Sequence, residues 1–118
     1  QVYSATFRSD GEKIERLTED RAIALSDLAE ELSKFEGENI YLSGDGYAVA
    51  ESALTSLGIR LEKTPQLLIN ESGASVARVA KRMYENGEYT TDIELSPLYL
   101  RLPQAERERL EREAAKKV

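Results

Sequence analysis

Ile40-Tyr41-Leu42-Ser43-Gly44-Asp45-Gly46 is the stretch on which the fold of this chain turns. A short apolar run that stops at two glycines around an aspartate, with helical periodicity beginning directly behind it, is the strand, loop and helix signal of an α/β sheet. Loops at the carboxyl ends of parallel strands are where such sheets hold ligands. The segment therefore predicts a buried strand and, at its end, a candidate ligand loop.

Working outward from it, Val49, Ala50, Ala53, Leu54 and Leu57 mark an amphipathic helix that packs on the sheet and is closed by Gly58 in the left-handed conformation. Upstream, Ser26 is the expected N-cap of an earlier helix, with Asp27, Glu30 and Glu31 near its positive end and Leu28, Leu32 and Phe35 on one face. Gly37 ends it, and the crossover into Ile40 is long enough to make Ile40–Ser43 parallel to an earlier strand. Earlier still, Tyr3, Ala5 and Phe7 alternate with Ser4, Thr6 and Arg8, the period of a sheet with one apolar face. Asp10-Gly11 predicts a two-residue hairpin, with Lys13–Leu17 returning antiparallel and Arg21–Leu25 completing a meander.

Downstream, Pro65 interrupts Ile59–Ile69, which leaves a short strand before the proline. Ser72 is the expected cap of a third helix with Val76, Val79, Ala80 and Met83 on its apolar face and Asn86-Gly87 as its stop. An extended segment, Asp92–Leu102, follows and contains Pro97. Pro103 suits the first turn of a last helix. Glu113 to Lys117 is a favourable pair there, but only Leu110 and Val118 are large and aliphatic, so this charged tail is expected to be solvated.

Composition narrows the chemistry. With 118 residues and 41% hydrophobic content the chain can close one core. It has no cysteine and no histidine, which excludes disulfides, thiolate chemistry, cysteine-bearing zinc sites and triads of the Ser-His-Asp or Cys-His kind within the chain. Acid/base work would fall to Asp, Glu, Lys or Tyr. The net charge of -6 argues against unaided binding to a phosphate backbone. Gln104–Val118 holds five basic and four acidic residues, so the tail carries +1 and the rest -7. No window approaches the roughly 18 apolar residues of a membrane helix, and no signal peptide is visible, so a cytoplasmic protein is expected. The chain starts at Gln1 and runs straight into a strand pattern, as a fragment or a processed chain would.

Three strands, a helix, a strand, a helix, a short strand and a helix is the order of a ribonuclease H-like lobe, the unit of the actin, sugar-kinase and Hsp70 superfamily. Glu94-Leu95-Ser96-Pro97-Leu98-Tyr99-Leu100-Arg101-Leu102-Pro103-Gln104-Ala105-Glu106 resembles the carboxy-terminal signature of the TsaB (YeaZ) family, in which a Pro-x-Tyr-Leu-Arg segment leads into a charged tail. Gln1-Val2-Tyr3-Ser4-Ala5 is similar to the first strand of that family's second lobe, Leu42–Gly46 to its strand and Gly-Asp-Gly loop, and Ser72–Ala80 to the start of its last core helix. The match runs in order along nearly the whole chain. It departs from the family in lacking the first lobe, with its Asp-Thr-Ser-type strand and glycine-rich segment.

The resemblance implies a ribonuclease H-like carboxy-terminal lobe over residues 1–102 and a charged helical tail over 103–118. It also implies a non-catalytic scaffold role in the threonylcarbamoyladenosine modification of tRNA, without a cofactor of its own. In that family TsaB pairs with TsaD, the paralogue that binds metal and nucleotide and transfers the threonylcarbamoyl group, and TsaE joins them. Homodimers of the family form through the first lobe. The family's older glycoprotease label reflects kinship with TsaD, and no His-x-x-x-His motif exists here.

Several residues keep two readings. Gly44, Asp45 and Gly46 form either a degenerate nucleotide loop, with amides toward a phosphate, or a turn that needs glycines with Asp45 capping the next helix. No basic residue follows to meet a phosphate. Pro97, Tyr99 and Arg101 are either a docking peptide or part of a strap in which Leu98 and Leu100 pack one way and Tyr99 covers a neighbour. Tyr47, Tyr84 and Tyr89 are either a base-stacking platform or core and rim packing, and Arg78, Lys81 and Arg82 either a small contact patch or a solvated face. The alternative function is a lobe of an ATPase or sugar-kinase-like enzyme that retains weak nucleotide binding.

Overall fold

A computed structural model describes residues 1–116; Lys117 and Val118, and with them the expected Glu113 to Lys117 pair, lie outside the described residues. The chain is mixed α/β. Four short strands, β1 (Val2–Ser4), β2 (Phe7–Ser9), β3 (Ile14–Arg16) and β4 (Arg21–Ile23), precede five helices. These are α1 (Leu25–Leu32, continued by a 3-10 turn over Ser33–Phe35), α2 (Tyr47–Ser56), α3 (Gln66–Ile69), α4 (Gly73–Glu85) and α5 (Gln104–Lys116).

The expected meander is a two-stranded ribbon instead. β1 pairs antiparallel with β4, Val2 opposite Ile23, while β2 pairs antiparallel with β3, Phe7 opposite Arg16. Between the two ladders, Leu17–Asp20 oppose only Ala5 and Thr6, so the ribbon carries a bulge. Its polar groups are satisfied locally: the Thr6 carbonyl accepts from the amides of Leu17 and Thr18, and the Thr6 amide donates to Thr18 Oγ1 at 2.8 Å. The bulge shifts the register by two residues; the third extended piece pairs with β1 and not with β3 because the chain runs on past β3 without reversing.

The hairpin loop also differs from expectation. Four residues, Asp10–Lys13, connect β2 to β3, and of these only Gly11 has positive φ, at 96°. Asp10 Oδ1 accepts from the amides of Lys13 at 2.8 Å and Glu12 at 2.9 Å, a side-chain turn that replaces the tight two-residue one. Across the ribbon the Arg16 guanidinium lies over the Phe7 ring, 4.6 Å from its centroid.

The core sits where α1 crosses α2. Leu28, Ala29 and Leu32 of α1 and Ala50 and Leu54 of α2 are buried, with Val2, Ile23, Leu25, Phe35, Ile40, Leu42, Ile59 and Leu61 packed around them. The spacing of Leu25, Leu28, Ala29 and Leu32 gives α1 a single apolar stripe. Its N-cap is Ala24, not Ser26, because β4 runs directly into the helix with Ala24 still extended; Ser26 bonds only to Asp27. One further tie holds β4 to α1: Arg21 Nη2 contacts both carboxylate oxygens of Glu31, at 2.6 and 2.7 Å.

α2 ends as its sequence predicts. Gly58 adopts φ 86°, its amide donates to Thr55 and the Ile59 amide donates to Leu54, both at 3.0 Å, while Ile59 packs back on the core. Leu54 is fully buried, but Val49 and Leu57 of the expected packing face are mostly exposed. α4 repeats the motif: Ser72 Oγ accepts from the Ser75 amide, Gly87 is at φ 78°, and the amides of Gly87 and Glu88 bond back to Tyr84 and Met83.

Ile40–Ser43 and Ile59–Thr64 are not ladder strands. Ile40 and Leu42 turn inward while Tyr41 and Ser43 face out, the period of a strand, and the two segments lie side by side. Only the Glu62 amide to the Ile40 carbonyl, at 2.8 Å, and Thr64 Oγ1 to the Leu42 carbonyl, at 2.7 Å, join them. A groove of about 910 Å³ floored by Leu28, Leu32 and Phe35 runs between Ile40–Ser43 and the Ser4–Ser9 edge. The expected parallel pairing with an earlier strand is therefore not made, and the sheets among the described residues are antiparallel.

Candidate functional site

The Gly-Asp-Gly loop occupies the predicted place between Ile40–Ser43 and α2, and its Gly44 amide, with the Ser43 hydroxyl before it, is directed at α3. Gly44, at φ 112°, donates its amide to the Ile69 carbonyl, and its own carbonyl accepts from the Tyr47 amide at 3.1 Å. Ser43 Oγ donates to the carbonyl of Leu68 at 2.6 Å and that of Ile69 at 3.2 Å. The loop is thus tied to α3, a one-turn helix missing from the sequence reading. Its signal is Pro65, which reads as a strand breaker; its extended backbone places it just before the first turn of α3.

Asp45 is exposed and does not cap α2, whose N-cap is Gly46 in a near-helical conformation, φ -75° and ψ 0°, without a side-chain bond. That corrects the capping role expected of Asp45. It also separates the two glycines: Gly44 needs its positive φ, whereas a Cβ on Gly46 would meet only Val2 Cγ1, at 3.9 Å.

Beside the loop lies a cleft of about 780 Å³ lined by Tyr47, Glu51, Leu61–Gln66 and Ile69. Tyr47 Oη donates to Glu51 Oε1 at 2.7 Å, and this bond, together with burial and the carboxylate's charge, holds the phenol above its usual range. Lys63 is the cation of the cleft. Among the described residues no cluster of three or more acidic side chains is arranged around one point.

The second set of predicted residues is brought to no such arrangement. Pro97, Tyr99 and Arg101 are exposed, Tyr99 at 79%. Leu98 is exposed too and Leu100 only half-buried, so the strap does not pack as the alternation predicts. A turn at its start is held by Glu94, which accepts from the Thr91 amide and hydroxyl; these bonds keep its carboxyl below the usual range.

Tyr84 and Tyr89 pair with each other, centroids 5.1 Å apart, and both are exposed, which corrects their expected place in the core or at its rim. Arg78, Lys81 and Arg82 face solvent on α4, where Lys81 meets Glu85 at 3.7 Å. The tail helix begins at Gln104, with the Pro103 carbonyl accepting from the Arg107 amide just ahead of it. Its pairs, Arg109 to Glu113 and Arg112 to Glu108, are exposed and contribute little. No helix among the described residues is long and apolar enough to cross a membrane.

Comparison with protein-family models, curated proteins and solved structures finds no match to this chain. The class defined by fold and site is a mixed α/β chain whose glycine loop is bonded to its own short helix.

Proposed function

We propose that this chain is a ribonuclease H-like lobe of the TsaB kind, a non-catalytic, cytoplasmic scaffold that supports TsaD in making threonylcarbamoyladenosine in tRNA. The assignment rests on the ordered resemblance from Val2-Tyr3 through Leu42–Gly46 to Pro97–Arg101. The observation that favours a scaffold over an enzyme is the closure of the loop, because the Gly44 amide and the Ser43 hydroxyl are spent on α3 carbonyls. A phosphate loop needs such donors directed at the ligand.

Two further features agree with the lobe architecture. Ile40–Ser43 and Ile59–Thr64 lie side by side with inward residues two apart, and Ile40–Ser43 faces the β1–β2 edge across the groove, the neighbours a mixed sheet would require. Pro97, Tyr99 and Arg101 form an exposed, uncommitted segment, available to TsaD. TsaE and a homodimer through a first lobe follow from the resemblance.

The test is a pull-down of TsaD by the protein in its full encoded length, with both taken from one organism. Co-purification is expected, and loss of it on changing Tyr99→Ala and Arg101→Ala together would place the strap at the contact. A full-length protein that does not retain TsaD contradicts the assignment. The second reading, a nucleotide-binding lobe, has the 780 Å³ cleft beside Gly44 and its Lys63 in its favour.

A further inference from the structure

The groove between Ser4–Ser9 and Ile40–Ser43 has a strand edge for each wall. Thr6 spends its carbonyl and amide on Leu17 and Thr18, and the Asp10 amide donates to Lys13 on that same side. Backbone direction alternates along a strand, so the amides and carbonyls of Ala5, Phe7 and Ser9 point the other way, into the groove. On the opposite wall the carbonyls of Ile40 and Leu42 accept from Glu62 and Thr64, which turns the backbone of Tyr41 and Ser43 toward the groove as well. No turn or loop bond among the described residues engages these groups. A slot with an unpaired strand edge on both sides calls for one kind of occupant, an extended backbone.

The slot also specifies the side chains of that occupant. Its floor is apolar, made by Leu28, Leu32 and Phe35. Thr6 turns its hydroxyl to Glu31 of α1, so Phe7 faces away from the helix; it rims one wall and Tyr41 the other, 49% and 58% exposed. An extended segment lying there must alternate aliphatic residues for the floor with residues that fit between aromatic rings. Leu98-Tyr99-Leu100-Arg101-Leu102 is such a segment. Its three leucines share one face and its tyrosine and arginine the other, and it belongs to no helix or ladder.

The segment is placed for the slot of a second copy and not for its own. Gly44 bonds to Ile69, so α4 starts close to the slot, and its 13 residues carry the chain about 20 Å away. The Tyr84–Tyr89 pair and the Thr91–Leu95 turn then hold the root of the strap at that far end. Leu98 follows Leu95 by three residues, about 10 Å of free chain, which is half the distance back.

We propose that the groove is a strand-acceptor site for the strap of a second copy, with Leu98–Leu102 of each chain filling the slot of the other. One slot and one strap per copy let the exchange close as a two-fold pair. The proposal does not rest on the tRNA-modification assignment, and the docked strap keeps Tyr99 and Arg101, the residues offered to TsaD, on its outer face.

Sedimentation velocity and amide hydrogen exchange over one micromolar concentration series test it together. The chain is expected to approach twice its 13.2 kDa mass, and the Phe7 and Tyr41 amides to exchange more slowly as it does. Leu100→Asp should weaken self-association by about a hundredfold, since each docked strap would set an unpaired carboxylate on the apolar floor. Its circular dichroism should be unchanged, because Leu100 lies outside the α1–α2 core. Ile93→Asp, ahead of the docked run and 91% exposed, should leave the dimer intact. A chain that stays monomeric overturns the proposal, as does a dimer indifferent to Leu100→Asp or equally sensitive to Ile93→Asp. Phe7 and Tyr41 amides protected as well in the monomer as in the dimer would overturn it too, since the slot would then be filled from within one chain.

Discussion

Gly44 and Gly46 flank the same aspartate, yet the chain asks different things of them. Gly44 holds φ 112°, a backbone conformation that a side chain strains, and from it makes both the bond to Ile69 and the bond from Tyr47. Gly46 is near-helical, and a methyl group there finds ordinary contact distance. Gly44→Ala is therefore expected to lower stability by about 1–3 kcal/mol, while Gly46→Ala changes it by no more than about 0.5 kcal/mol. Urea midpoints of the two variants check this, and equal losses would show that the positive φ is not the constraint. The need for glycine in the loop was legible from the residues. Which glycine, and what its amide meets, was not, because the answer lies in α3, more than twenty residues further on.

The hairpin teaches the same lesson at the level of elements. Asp10-Gly11 located the turn correctly, but the type was set by the Asp10 carboxylate, which accepts first from Lys13 and then from Glu12 and so ionises below its ordinary value of 3.8. A carboxyl lowered in the folded state contributes stability above its unfolded value and loses it as pH falls through the lower folded one. An NMR titration should therefore show the Asp10 carboxyl protonating below 3.8, with the Glu12 and Lys13 amides moving in the same step. In Asp10→Asn that step should vanish while the amide carbonyl keeps the turn. An Asp10 that titrates at its ordinary value would remove the side chain from the loop's support.

The helices other than α3 were legible for a physical reason: periodicity, the Ser72 cap and the glycine stops at Gly58 and Gly87 are local, and the chain honours each. The extended pieces at the amino-terminal end were legible too, but not how they and Ile40–Ser43 pair, because a strand exists only with its partner. With no reversal after β3 the third extended piece runs on beside β1, and Ile40–Ser43 shows a strand's alternation with one backbone bond in place of a ladder. Ser26 failed as a cap because β4 leaves no loop before α1.

The whole molecule is open. Its radius of gyration is 17.8 Å, against about 13.5 Å for a compact chain of this length. The α1–α2 core gathers the amino-terminal part, while α4, the strap and α5 stand in solvent with their apolar residues uncovered. At this scale the composition was a poor guide to shape, since apolar content does not say whether a face is covered from within or from outside. We propose that the chain is a structural partner whose glycine loop serves its own α3 and not a nucleotide. Isothermal titration calorimetry with ATP and ADP tests that most directly. The account predicts no saturable heat with either nucleotide at millimolar concentration, and a saturable isotherm that Gly44→Val abolishes would contradict it.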